Sequence, residues 1–283
     1  MKLKTTICTL ALLAFASSAF AQKKYDIKVN LKKETTLTMT TKSESTLDIN
    51  GMGQNIQLPM KNDMVTSINY IPLKNGDYKV TYTTLKAEMT QDMSQMGAGI
   101  VKISSEDELN DQNKILKATI KIPLVFEMTQ DGRIVKAPDF TEYFNKLKEA
   151  ANNNISIDKV ASDIDFGNNM YPGKPVAVGE SWKFPSKDFK IRFNQEDKAI
   201  KFSNDMTFTL KDVTSDMYII DATIKLNTDI EGLDLLMNGT YTFYVDRNTG
   251  LMLKSESKAE GQTEKDGMNI KVRQTTKLTT AIK

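Results

Sequence analysis

The sequence has no histidine, and its single cysteine, Cys8, lies near the N-terminus. The rest of the chain has neither side chain. Ser-His-Asp and Cys-His catalysis, histidine proton transfer and the usual zinc sites are therefore excluded there. No phosphate-cradling glycine-rich loop is present either. A carboxylate pair or a Ser–Lys dyad remains, but no spacing singles one out. We therefore expect a protein that is not an enzyme, with no cofactor, no catalytic residues and no bound metal.

The N-terminal residues 1–21 have the three parts of a secretory signal peptide. Lys2 and Lys4 precede the apolar stretch Ile7–Ala16, which is too short to span a bilayer stably. Ala19-Phe20-Ala21 then supplies the small-x-small pattern of a cleavage site. We expect a cleaved signal and a periplasmic or secreted protein.

The mature chain lacks both a thiol and a net charge. Cys8 lies within the signal and not at a lipobox, so we expect neither disulfide bonds nor a lipid anchor. The whole chain has 38 basic and 36 acidic residues, and removing Lys2 and Lys4 leaves 36 of each. A neutral chain has no field that attracts polyanions, and we expect no nucleic acid partner.

The dominant pattern in the sequence is alternation of apolar and polar residues. Tyr25–Leu31 is one example, and Ala118–Met128 alternates over a longer stretch. Successive side chains of a strand point to opposite faces, so each such segment predicts a strand with one apolar face. About a dozen strands are predicted, without the continuous apolar runs of parallel sheets. The fold class is all-β with a minor helical part: a large curved antiparallel sheet, half-barrel or barrel.

Turn residues and one helix complete the predicted architecture. Asn75-Gly76-Asp77, Asp131-Gly132-Arg133 and the segment Asp246–Gly250 predict tight hairpin turns. After Pro138, an amphipathic helix is predicted, with a weaker helical turn at 157–161. The apolar face of the predicted helix consists of Phe140, Tyr143, Phe144, Leu147 and Ala151.

The mature chain, 22–283, predicts a single β-rich domain. Similar strand–turn–strand patterns near residues 126 and 243 allow an alternative in which two half-units, 22–137 and 186–283, are joined by a helix-containing linker, 138–185. Ordinary hairpins would produce the same similarity. Both organisations therefore remain open.

The most distinctive segment is Tyr171–Trp182, in which two prolines precede a glycine and a tryptophan with the spacing P-x3-V-x2-G-x2-W. Later in the chain, Tyr241-Thr-Phe243-Tyr-Val-Asp246 is followed by Thr249-Gly250. With these motifs, the chain resembles secreted β-rich proteins of the Bacteroidota that have a domain of unknown function. The resemblance implies a cell-envelope location and an open β fold, and it brings no catalytic residue with it.

Alternation in nearly every strand predicts a concave apolar surface that holds a lipid or another hydrophobic molecule. Clustered methionines suit an adaptable rim, although thioethers also bind Cu(I), and they also serve as plain core. Alternatives are a structural or protein-interaction module of the envelope and an outer-membrane barrel; the oligomeric state is open. The predicted ligand-binding residues are Met60, Met64, Met89, Met93, Met96, Trp182, Phe126 and Phe243.

Overall fold

The computed structural model describes residues 23–51, 54–152, 170–184, 189–192, 199–230, 233–265 and 267–282. Strands account for 63% of it, and the large antiparallel sheet is open and does not close into a barrel. The predicted all-β class with a minor helical part is confirmed. The predicted signal peptide, 1–21, and the helical turn at 157–161 lie outside the described residues.

Fifteen strands and two α-helices lie within the described residues. The strands are β1 Lys24–Tyr25, β2 Thr35–Gly51, β3 Gln54–Pro72, β4 Tyr78–Met93, β5 Gly99–Ser104, β6 Leu124–Met128, β7 Ile134–Lys136, β8 Val176–Ala177, β9 Ser181–Phe184, β10 Phe189–Arg192, β11 Ala199–Val213, β12 Met217–Ile230, β13 Leu233–Asp246, β14 Met252–Lys265 and β15 Met268–Ile282. The helices are α1 Lys114–Thr119 and α2 Thr141–Ala150, and a short 3-10 helix spans Ser94–Met96.

One sheet contains thirteen of these strands. Eleven follow the order β10-β11-β12-β13-β14-β15-β2-β3-β4-β6-β7; in addition, β5 pairs with β4, and β9 pairs with β11. The pairing of β15 with β2 joins strands from the two halves of the chain. β1 pairs with β8 in a separate two-stranded sheet. Both predicted half-units thus contribute to a single sheet.

The register of the sheet separates an apolar inner face from a charged outer face. Cross-strand partners share a face of the sheet. We call the inner face the one that contains the paired residues Ser257, Thr276, Ser43 and Asn62. On that face, β2, β3, β4 and β15, together with residues 218–228 and 235–245, have no Lys, Arg, Asp or Glu. Along β15, half-buried inner positions alternate with exposed outer ones.

The segment Tyr25–Leu31, which we call the strap, packs on one end of the inner face. The strand predicted over this segment is wrong beyond Tyr25, where β1 ends. Its Val29 N–H donates to the carbonyl of Gln130, after β6, at 2.8 Å, and the adjacent Asn30 N–H donates to the carbonyl of Thr249, before β14, at 2.8 Å. These two bonds hold the acceptors within about 9 Å of each other. A flat sheet would separate β6 from β14 by five strand spacings, about 24 Å. The sheet therefore curves around the strap.

The hydrophobic core lies between the strap and this curved end. Ile27 and Val29 of the strap are fully buried. They belong to one cluster with residues of β4, β6, β11 and β12, and with the segment Met170–Val178. Fully buried members from the sheet include Val80, Phe126, Met128, Phe208, Leu210 and Ile220.

The predicted hairpin turns and the helix after Pro138 are confirmed. Each turn has a glycine with positive φ, for example 90° at Gly76 and 70° at Gly250. Helix α2 lies where the apolar spacing placed it, and the rings of Phe140 and Phe144 are 5.5 Å apart. Local sequence signals were sufficient for these elements.

The strand predicted over Ala118–Met128 is wrong in its first half. Helix α1 ends at Thr119, and strand β6 begins only at Leu124. Pro123 has no N–H for a ladder hydrogen bond, and Lys121 has a φ of 63°, which breaks an extended chain. Alternating apolar residues here do not form a strand.

Loss of the Tyr78 hydroxyl is expected to destabilise the protein. This hydroxyl accepts a hydrogen bond from Leu31 N–H at 2.9 Å and donates to the Val29 carbonyl at 3.3 Å, both within the strap. Tyr78→Phe should lower the free energy of unfolding by about 1–3 kcal/mol, because two buried strap groups lose a partner. Urea unfolding measures this, with Tyr25→Phe as a control at which no hydroxyl hydrogen bond occurs among the described residues. Equal stability of Tyr78→Phe and the native protein would contradict the proposed role of the strap.

Close packing of the strap on the turn before β14 gives a second prediction. A Cβ at Gly250 would lie 1.8 Å from the Lys28 carbonyl oxygen, whereas a Cβ at Gly179 would meet nothing within 4 Å. Both glycines have positive φ, at 70° and 85°. Gly250→Ala should therefore cost at least about 2 kcal/mol more than Gly179→Ala in thermal or urea unfolding. Equal losses of stability in the two variants would show that backbone strain at a positive φ, and not contact with the strap, causes the loss at Gly250.

Candidate functional site

Beyond the strap, the inner face continues as a broad apolar surface that is outside the core cluster. We call it the lower zone. Its side chains come from five strands within the run β12-β13-β14-β15-β2-β3, about 24 Å across, and all but the buried Leu58 are half-buried. Its members are Leu47, Ile49, Ile56, Leu58, Leu226, Leu235, Met237, Ile270 and Val272.

The strands approach one another closely on this side of the sheet. A Cβ at Gly261 would lie 2.6 Å from Met237 Cγ, and one at Gly239 would lie 2.9 Å from Ile224 Cγ2. Glycine within a strand permits such an approach of neighbouring strands. At Gly261 and Gly239, the side chains of Met237 and Ile224 therefore fill the space that a larger residue would need.

Four of the five methionines predicted to bind ligand lie on the inner face. Met60 and Met64 are on β3, and Met89 and Met93 are on β4, where the register gives them a common face. Ile103 of β5 pairs with Met89 and extends this apolar area. Met96 is separate: it lies in the 3-10 helix beyond β4 and is 55% exposed. The register thus places four of the five methionines on the inner face, beside the lower zone.

The three predicted aromatic residues lie nearer the strap. Phe126 is 2% exposed, so little of its ring remains for a ligand to contact. The Trp182 ring stacks on Phe208 at 5.8 Å, and its indole nitrogen has no hydrogen-bond partner among the described residues. Phe243 is partly buried against the core. Only Phe243 lies at the border between the core and the open part of the inner face.

Two buried tyrosines of the core, Tyr70 and Tyr171, add no charge to the inner face. Burial raises the pKa of Tyr70 to about 12. Burial also raises the pKa of Tyr171, whose hydroxyl donates to the Gly250 carbonyl at 2.7 Å. Both phenols therefore stay neutral at physiological pH.

The outer face has its own depressions, and charged and other polar residues predominate in their lining. One, of about 860 Å³, is lined by residues that include Glu44, Lys258 and Arg273. A neighbouring one, of about 680 Å³, includes Lys42 and Glu256. Acidic and basic side chains alternate in both, so neither has the uniform charge that would attract an ion of one sign. The predicted apolar binding surface does not coincide with these depressions.

Most of the site was not visible in the sequence. The strands β2 and β3 supply Leu47, Ile49, Ile56 and Leu58, none of which was predicted as a binding residue. The alternation in β2 is interrupted at Thr41, Ser43 and Ser45, which lie on the inner face but are polar. The uninterrupted absence of charge at every second position was the signal that could have identified this face.

Within the described residues, no helix is long and apolar enough to cross a membrane. The same part of the chain contains no group of three acidic or other ligating residues, among His, Cys, Asp and Glu, that could hold a metal ion.

Comparison with known families places the chain. The family of unknown function DUF6263 matches residues 75–283, and the chain therefore belongs to it. The matched region covers strands from β4 to β15. No curated protein matches the sequence.

Among solved structures, the sheet is similar to one described as "Lipid-protein interactions in lipovitellin". The TM-score is 0.50 at 11% identity, over 90% of this chain and 26% of the lipovitellin chain. The chain thus spans about a quarter of that protein, and the likeness concerns the fold alone. DynF from Micromonospora chersina (6% identity, covering 91% of this chain and 85% of DynF) has a TM-score of 0.26. An outer membrane channel from Pseudomonas putida F1 (10% identity, covering 90% of this chain and 98% of the channel) has a TM-score of 0.28. These two TM-scores are too low to support a statement about the fold.

Proposed function

We propose that this protein is an exported binding protein of the cell envelope that holds a lipid or another hydrophobic molecule on its inner face. The observation that carries the proposal is the separation of charge in the sheet. The inner positions of β2, β3, β4 and β15 contain no charged residue, and the lower zone lies outside the core. Apolar surface that the core does not use is typical of binding sites.

The fold of the sheet supports the same function. Its similarity to lipovitellin, which is described through its lipid–protein interactions, extends over 90% of the chain. An open antiparallel sheet with one apolar face is suited to hold flexible acyl chains, because the contacts needed are non-directional. The four inner-face methionines, Met60, Met64, Met89 and Met93, add an adaptable border.

Binding, and not catalysis, fits the chemistry of the inner face. An acid–base or nucleophilic mechanism needs groups that exchange protons or electron pairs near neutral pH. The inner face offers hydroxyls, amides and thioethers. The N-terminal signal predicted for residues 1–21 supports an envelope location.

A protein-interaction module of the envelope is the second candidate function, and the outer face favours it. The two depressions there are lined by charges of both signs, including Glu44, Lys258 and Arg273. Interacting protein surfaces often complement such mixed patterns. A partner at the outer face would be affected by substitution of these residues, whereas a lipid at the inner face would not.

A charge placed in the lower zone should weaken binding. Val272→Lys puts an ammonium group among apolar side chains, and an apolar ligand there would leave it without solvent. Delipidated protein is titrated with N-phenyl-1-naphthylamine, an uncharged fluorescent dye, with an expected Kd in the micromolar range. Val272→Lys should weaken binding by at least about tenfold, equivalent to about 1.4 kcal/mol.

The matched control is Thr279→Lys, which adds the same charge to the outer face of the same strand. It should bind the dye like the native protein. Absence of saturable binding by the native protein would overturn the proposed function, as would equal weakening by both variants.

A further inference from the structure

The inner face contains a compact group of uncharged polar side chains within its apolar surface. We call it the polar patch. Its residues occupy neighbouring positions on β14, β15, β2 and β3, which are consecutive in the sheet. The members are Ser43, Ser45, Asn62, Ser255, Ser257, Gln274 and Thr276.

Cross-strand pairing brings the members of the patch together. Ser257 pairs with Thr276, which pairs with Ser43, and Gln274 pairs with Ser45. The Ser43 hydroxyl oxygen accepts hydrogen bonds from Gln274 Nε2 at 3.0 Å and from Thr276 Oγ1 at 3.2 Å. Ser43 is 8% exposed, so a charged or apolar neighbour would be costly there.

The patch retains capacity for further hydrogen bonds. Gln274 uses one amide hydrogen toward Ser43, which leaves its carbonyl oxygen as an acceptor. Ser45, Ser257 and Asn62 make no side-chain hydrogen bond among the described residues. Hydroxyls and amides that only served the sheet would be expected to satisfy one another. These groups instead offer both donors and acceptors at the inner surface.

Apolar surface borders the patch on several sides. Toward the strap lie Phe243 and Leu278, and on the side of β3 and β4 lie the four inner-face methionines. On the opposite side along the strands, Val272 and Leu47 of the lower zone follow directly after Gln274 and Ser45. A ligand centred on the patch thus meets apolar side chains in more than one direction.

We infer that the ligand is a lipid whose polar part is uncharged and has hydroxyl or ester groups, with acyl chains extending from it onto the apolar surface. This inference rests on the proposed function and specifies its ligand class. The inner positions of β2, β3, β4 and β15 have no Lys or Arg, so a phosphate or carboxylate would have no cationic partner on these strands. A pure hydrocarbon would cover Ser45, Asn62 and Ser257 without giving their polar groups a hydrogen-bond partner.

The decisive experiment compares three soluble ligands as competitors of N-phenyl-1-naphthylamine on the native protein. They are dioctanoylglycerol, which is uncharged and has a hydroxyl; dioctanoyl phosphatidic acid, which has the same chains with a phosphate; and decane, which has no polar group. Dioctanoylglycerol should bind at least tenfold more tightly than the phosphatidic acid, and also more tightly than decane. Equal or stronger binding of the phosphatidic acid would overturn the inference.

Two variants locate the preference on the patch. Gln274→Leu should reduce the preference for dioctanoylglycerol over decane about fivefold, as expected for one lost hydrogen bond, and Ser43→Ala should reduce it similarly. Thr40→Ala, on the outer face of β2, should leave the preference unchanged. An unchanged preference in Gln274→Leu and Ser43→Ala, with dye binding intact, would overturn the role of the patch.

The outcomes separate the two proposals. If the dye binds but the phosphatidic acid is preferred, the proposed function stands and the ligand class is wrong. If the native protein binds neither the dye nor any of the three ligands, the proposed function itself fails.

Discussion

The packing of the strap against distant strands of the sheet, β4 and β6 on one side and β11 and β12 on the other, is the constraint on which the rest of the structure depends. Ile27, Val29 and Leu31 are 1%, 0% and 7% exposed, and burying each contributes about 1.5–3 kcal/mol. Their sum, as an upper estimate, is comparable with the whole stability of a typical domain, about 5–15 kcal/mol. In a chain without disulfide bonds, the curvature of a long open sheet depends on this contact.

Curvature and charge separation together create the candidate site. The strap closes only one end of the inner face, where Val29 and Asn30 bind turns from distant parts of the sheet. The remainder of that face is also apolar. Among the described residues, no second layer covers it in the way that the strap covers the core. Because adjacent positions along a strand face opposite sides, the many lysines and glutamates of the sequence can all lie on the outer face. The result is a sheet with two chemically different surfaces.

Sequence reasoning predicted the fold class because alternation is local and long strands repeat it. It also predicted helix α2 and the hairpin turns, where proline and glycine fix the backbone. It failed at Ala118–Ile122, where apolar alternation occurs next to Pro123: helix α1 continues to Thr119, and residues 120–123 form neither helix nor strand. Tertiary contacts, and not periodicity, decide such a segment.

The candidate site was predicted only in part, for a related reason. The methionines of β3 and β4 were recognised as a cluster, and the register confirms that four of them share a face. Phe126 was selected for its size, yet size and burial also define core residues. The polar patch was not recognised, since Ser43 and Ser45 interrupt the apolar pattern of β2 and cross-strand neighbours cannot be derived from one strand alone.

The most direct test of the central claim, that ligand lies on the inner face, is photo-crosslinking with a diacylglycerol that has a diazirine in one acyl chain. Mass spectrometry of peptides then identifies the labelled residues. The account predicts labelling of β2, β13 and β15 at inner positions such as Leu47, Met237 and Val272. Labelling concentrated at outer positions such as Lys42, Thr240 and Lys258, which line the polar depressions, would contradict it.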